Sequence, residues 1–313
     1  MFEPERILYE DNHLIVVNKR SGELVQPDPT GDPALEDEVK EMIRIRDGKP
    51  GAIFLGVVHR IDRPVSGAVL FAKTSKALAR MNETVKSRRI RKIYWAITEN
   101  RPSPESGSLR HFLVRDGRTN RTKAYDRPIP DAKEARLDYR LLAESDRYRL
   151  LEIELLTGRH HQIRVQLSKI GCPIRGDLKY GAPRSNRDGS ISLHARSIEF
   201  VHPVRRSPVL ITAPVPPQDN LWNYFEQTVE PQQLYGAGKN AEQISGIASA
   251  MRGSGQDVVL ITRLSPEKAE QIKAVHPLAY HAEAGIGVIG ELPAPDGIGR
   301  IVVATGGTSD IPV

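Results

Sequence analysis

Aromatic side chains all but end at about residue 229, where glycine and alanine rise and the charge changes sign. Residues 229–313 hold 6 Lys/Arg against 9 Asp/Glu, which leaves 39 against 30 for residues 1–228. A break of this kind marks a domain boundary, so the chain reads as two parts, 1–228 and 229–313. The basic surplus of the first part suits a polyanion such as RNA, although a plain soluble enzyme can carry the same charge. The single cysteine, Cys172, rules out an internal disulfide and a cysteine-rich zinc site and speaks against redox chemistry. The first six residues carry two acids, Glu3 and Glu5, where a secretory signal would be basic and then apolar, and no apolar run approaches ~18 residues. A soluble cytoplasmic protein without membrane contact is expected.

The first part mixes short β patterns with amphipathic helices. Residues 7–18 predict two strands about an Asp11-Asn12 turn, and Leu35, Val39, Met42 and Ile43 predict a helix over 34–45. Val57-Val58 and 68–72 predict buried strands separated by a Ser66-Gly67 turn, after which Thr74-Ser75 caps a helix with the stripe Leu78, Met81 and Val85. Lys86, Arg88, Arg89, Arg91 and Lys92 then exceed what helix capping needs, so Arg88, Arg89, Arg91 and Lys92 are candidates for RNA backbone contact. Residues 93–97 predict a strand, 101–135 a long surface loop or irregular hairpin, 139–142 with 148–156 a hairpin, and 192–201 a further strand. The second part predicts helix, strand, helix and strand over 241–250, 257–262, 266–275 and 299–304, the alternation of parallel α/β units.

Two charged runs stand out in the first part. His59-Arg60-Ile61-Asp62-Arg63 sets one carboxylate among two arginines and a histidine; alone it reads as a structural salt bridge. In Gly158-Arg159-His160-His161-Gln162-Ile163-Arg164, the apolar Ile163, Leu167 and Ile170 recur at helical spacing, with Gly171 as the stop. A four-residue spacing sets His160 and Arg164 on one face and turns His161 away. Adjacent histidines make a poor metal pair and no zinc spacing is present, so no metal is expected.

Together with Ile7 to Gly22, Lys92-Ile93-Tyr94, Pro173-Ile174-Arg175-Gly176-Asp177 and Tyr180-Gly181, these runs resemble the RluA-type pseudouridine synthases in order and spacing over most of residues 1–228. The resemblance implies an α+β fold: a mixed, mainly antiparallel sheet with flanking helices and a central basic cleft. It implies isomerisation of uridine in tRNA or rRNA, with no cofactor and with RNA as the partner of a monomeric enzyme. Asp62 would be the catalytic carboxylate, as nucleophile or as proton acceptor, and Arg164 the cation that keeps it ionised. Tyr94 would stack on the extruded uracil and could accept the C5 proton. Arg60 would fill the stack vacated by the flipped base, His59 would brace its loop, and Arg63, Ile163 and His160 would complete the substrate site. Arg20 stands where the family usually places proline, which loosens the first turn. The pattern begins within ten residues of Met1, so the family's appended S4 domain is expected to be absent. A non-catalytic RNA-binding module, or a fragment of a nucleotide carboxylase fusion, is the alternative.

The second part resembles the N-terminal portion of LarB, the carboxylase-hydrolase of nickel-pincer cofactor synthesis, through Tyr235 to Ile244, Thr262 to Ala269 and Thr305 to Val313. The likeness stops where that family's catalytic core begins. An incomplete α/β segment without carboxylase activity is expected, from a truncated fusion, a frameshifted reading or an incomplete sequence.

Overall fold

The computed structural model describes residues 2–229, 233–235, 240–253, 258–262 and 264–291. The chain divides between Phe225 and Glu226 into two compact units. The expected 228/229 junction falls in the last turn of a helix that crosses this division.

The first unit carries β1 (Ile7–Glu10), β2 (Leu14–Lys19), α1 (Leu35–Arg46), β3 (Gly56–Val57), β4 (Ser66–Ala72), α2 (Ser75–Lys86), β5 (Arg91–Thr98), β6 (Ser106–Asp116), β7 (Arg121–Tyr125), β8 (Lys133–Glu144), β9 (Arg149–Leu155), α3 (Gln162–Lys169), β10 (Leu193–Val201), β11 (Pro208–Thr212) and α4 (Asn220–Val229). One sheet runs β1-β2-β4-β10-β5-β9-β8-β6-β7, with β3 beside β4 and β11 beside β10. Every pairing is antiparallel except β4 with β10.

Strand alternation divides two cores across this sheet. In β2, Ile15 and Val17 face one side and Leu14 and Val16 the other; in β4, Val69 and Phe71 oppose Ala68, Leu70 and Ala72. The first side packs Leu35, Val39 and Ile43 of α1 and Ile163 and Leu167 of α3. The second packs Ala77 and Met81 of α2 with Phe200. Tyr94 lies on the α3 side of β5, so the strand and helix that carry two expected site residues face each other across one core.

Ser66 and Gly67 form no turn. They open β4 and pair with His194 and Ala195 of β10, while the chain reverses at Asp62–Val65 through Val65 N–H donating to Asp62 O at 3.0 Å. Gly67 has φ +115°, and a Cβ there would stand 2.4 Å from Ala195 O, so the glycine serves a close strand crossing rather than a bend. The span 101–135 is mostly strand: β6 and β7 make a hairpin, and β6 pairs with β8. β11 was not legible in the sequence.

The second unit holds β12 (Gln233–Tyr235), α5 (Ala241–Gly253), β13 (Val259–Thr262), α6 (Pro266–Lys273), β14 (Leu278–His281) and β15 (Ile286–Ile289). The strand order is β12-β13-β15-β14, and only β12 and β13 are parallel. The expected run of parallel α/β units is therefore broken by an antiparallel hairpin, whose strands of four residues gave too short a pattern to read. Asn240 and Gln243 cap α5 reciprocally, and Ile244, Ala248, Val259, Ile261 and Ile272 form the core. The strand expected at 299–304 lies outside the described residues.

Candidate active site

The loop between β3 and β4 presents Asp62 and is pinned at the carbonyls of Asp62, Arg63, Pro64 and Val65. Gly22 N–H donates to Arg63 O at 2.8 Å, while Ser21 Oγ and Ile191 N–H both donate to Pro64 O. The Lys19 ammonium, 1% exposed, donates to Arg20 O, Arg63 O and Val65 O at 2.8, 3.0 and 2.7 Å. The end of β2 thus holds the loop from beneath. Arg20 keeps the first turn closed rather than loose, because its backbone N–H donates to Glu23 Oε2 at 2.8 Å, a bond proline could not make.

Lys19→Met is expected to leave Arg20 O and Val65 O without this donor, while Arg63 O keeps Gly22 N–H, and to destabilise the first unit by about 2 kcal/mol or more, at about 1–3 kcal/mol per buried unsatisfied group. A denaturant midpoint measures this. Burial pushes the Lys19 ammonium down to about 7, against the attraction of Glu23 and Asp62. Below about pH 7 folded and unfolded chains both hold the proton, and the burial penalty is complete. From about 7 to about 10.4 only the unfolded chain holds it. This group's contribution to stability therefore rises with pH across that window, and Lys19→Met removes the rise.

Asp62 receives Arg164 from α3: Nη1 donates to Oδ2 at 3.0 Å. The same guanidinium donates Nε and Nη2 to Asp177 at 2.7 and 2.9 Å, so one buried arginine serves two carboxylates. Burial acts to lower its pKa, but the bonds to Asp177 and the charges of Asp177 and Asp62 outweigh that and raise it. Asp177 is 1% exposed, whereas the Asp62 side chain is 29% exposed and remains open to a substrate.

The histidine beside Asp62 is His161, not His160. The expectation extended α3 back through His160; the helix begins at Gln162, and His161 takes a left-handed conformation (φ 51°) as its N-cap. That twist turns His161 inward, with Nε2 at 3.7 Å from Asp62 Oδ2. Tyr180 OH accepts from Thr122 N–H and lies 2.8 Å from His161 Nδ1. Donation of the hydroxyl proton to Nδ1 leaves the Nε2–H facing Asp62. Burial, then Arg164, then His160 press the His161 pKa down to about 2, so the ring is neutral. His160 stacks on His161 with centroids 3.7 Å apart and bonds to Thr122 Oγ1.

Tyr94 is buried, and desolvation followed by the charge of Asp62 raises its pKa, so it is a neutral phenol at ordinary pH. Ile163 is buried in the same core. His59 accepts Leu70 N–H at 3.3 Å and ties the loop to β4; burial and then Lys92 hold its pKa near about 3. Arg60 is exposed, with no ion-pair partner among the described residues. Arg63 turns away: it pairs with Asp32 at 2.7 Å and donates to Gly22 O, which makes it a loop clamp. Arg91 is likewise engaged, by Glu154 at 2.9 Å and Glu199 at 3.7 Å. Lys19, His161, Asp177 and Tyr180 escaped the sequence reading as site residues, although the motifs contain them. Among the described residues, no group of three or more His, Cys, Asp or Glu side chains could hold a metal ion, and no helix is long and apolar enough to cross a membrane.

Residues 13–169 match the family described as RNA pseudouridylate synthase, and residues 230–291 match the LarB/PurE-like N-terminal domain. An uncharacterized RNA pseudouridine synthase of Chloroflexus aurantiacus is 41% identical over 53% of this chain and 52% of its own length. The ribosomal large subunit pseudouridine synthase D of Xylella fastidiosa is 35% identical over 68% of this chain and 66% of its own. The chain thus spans between half and two thirds of the length of these relatives. The fold is shared with the solved human RNA pseudouridylate synthase domain containing 4, at TM-score 0.59 and 24% identity, over 72% of this chain and 93% of that one. The family match covers half of the chain and contains Asp62, Tyr94 and Arg164, and the chain accordingly belongs to the RNA pseudouridylate synthase family.

Proposed function

We propose that the chain isomerises uridine to pseudouridine in RNA with Asp62 as the catalytic carboxylate. The observation that carries this reading is a partly exposed carboxylate paired with a buried arginine, in a loop tied down at the carbonyls of residues 62–65. The reaction breaks the bond between ribose C1′ and uracil N1 and forms one between C1′ and C5; the proton lost at C5 is balanced by one gained at N1. Nothing is consumed, so no cofactor is required. Asp62 would act at the sugar, either by attack at C1′ or by taking the C2′ proton. Arg164 sets a cation 3.0 Å from it, and Arg60, exposed on the same loop, would enter the stack left by the flipped base. The enzyme would work as a cytoplasmic monomer. The name of the Xylella relative makes large-subunit rRNA the first substrate class to test and tRNA the second.

Incubation with unmodified rRNA and tRNA transcripts is expected to yield new pseudouridine in one of them; none in either would overturn the proposal. Tyr94→Phe keeps the aromatic face and loses the hydroxyl. It should leave RNA binding within about 2-fold while slowing product formation about 10²-fold, the lower end of the range for a proton-transfer group. An unchanged rate would restrict Tyr94 to stacking.

A further inference from the structure

A groove of about 800 Å³ passes the end of α2 and the start of β5. Lys86, Arg88, Arg89 and Lys92 line it from those elements, and Arg136 and Arg159 from β8 and the segment before α3. Its two carboxylates, Glu154 and Glu199, are both taken up by Arg91, and Arg136 is paired with Glu134 at 2.8 Å. Lys86, Arg88, Lys92 and Arg159 have no ion-pair partner among the described residues. Cations gathered in a concave surface without counter-ions repel one another and focus a positive potential that an anion relieves.

Two details separate this groove from ordinary solvated charge. Lys92 is half-buried beside Gly158, where an added Cβ would stand 3.7 Å from Nζ, and its ammonium has no hydrogen-bond acceptor among the described residues. Burial lowers its pKa, so the charge is held at a cost that a bound anion would offset. Arg88 is the left-handed residue (φ 56°) that closes the C-terminal cap of α2, with its own N–H donating to Val85 O and that of Arg89 to Thr84 O, so an arginine stands at the groove where glycine is the unstrained choice. The wall at Gly158-Arg159 leads within three residues to His161, which faces Asp62.

We propose that this groove holds the phosphodiester backbone of RNA flanking the uridine presented to Asp62. The proposal rests on the activity proposed above and names where its substrate is gripped. Lys86, Arg88, Lys92 and Arg159 carry the contact, and Arg91, already neutralised, does not.

The test uses the full chain and whichever unmodified transcript, rRNA or tRNA, binds more tightly. Lys86→Gln, Arg88→Gln and Arg159→Gln are combined; all three side chains are exposed, so the fold is not at stake. RNA affinity should fall about 10-fold or more. The slope of log affinity against log salt should drop by about 2 to 3, at about 0.7–0.9 per lost phosphate contact. Single-turnover rate at saturating RNA should stay within about 2-fold. Lys92→Gln should weaken binding, and Lys92→Arg should restore it. Unchanged affinity and slope would overturn the proposal, as would weaker binding of inorganic tripolyphosphate with RNA binding intact, which marks a small-anion site. If the wild-type chain binds RNA with the expected slope yet modifies neither transcript, the proposed activity fails while the groove stands.

Discussion

Asp62→Asn is expected to abolish pseudouridine formation, by at least about 10²–10⁴-fold, while the chain stays folded and still binds RNA. The substitution preserves side-chain volume and an oxygen that can accept from Arg164. It removes the charge and basicity that attack at C1′ or proton abstraction at C2′ both need. Stability should change by no more than about 1 kcal/mol, because the Asp62 side chain is 29% exposed and Arg164 keeps its bidentate bond to Asp177. RNA affinity should stay within about 3-fold or rise, since a carboxylate facing a polyanion repels it. Single-turnover pseudouridine formation and filter binding, measured on the same transcript, separate these effects. A variant retaining more than a tenth of the wild-type rate would remove Asp62 from the chemistry.

How far the site could be read from sequence depended on how local its determinants are. β2 and β4 were legible as unbroken apolar runs, because both strands are buried on both sides. Asp62, Tyr94 and Arg164 were legible as motif members, and Arg164 reaches Asp62 because Ile163 and Leu167 fix which way α3 faces. The identity of the neighbouring histidine was not legible. Helical spacing favoured His160, and only the left-handed turn at His161, fixed by Tyr180 and Thr122 from distant elements, reverses that order. Lys19 was hidden for a similar reason. A lysine ending a strand reads as solvated, and its burial follows from three carbonyls, two of them more than forty residues away. The span 101–135 was legible only as a loop or irregular hairpin, because few residues of β6 and β7 are buried and Arg, Asp and Gly leave little apolar alternation.

Arg164→Met carries the second large effect and acts on two carboxylates at once. At Asp177, 1% exposed, it leaves a buried charge without its bidentate partner, and about 3–5 kcal/mol of stability should be lost. At Asp62 it removes the cation that stabilises the working carboxylate, and turnover should fall far more than RNA affinity. Arg164→Lys should rescue neither fully, because a single ammonium cannot reproduce a fork that spans two carboxylates. The two losses separate in Arg164→Met/Asp177→Asn, where the buried charge is gone as well. Stability should recover by about 1 kcal/mol or more relative to the single variant, while turnover should not recover, since Asp62 still lacks its cation. Chemical denaturation and single-turnover kinetics on the four corners of this cycle decide the matter. Turnover that returned together with stability would make Arg164 a structural residue alone, and equal losses of binding and turnover in the single variant would detach it from Asp62.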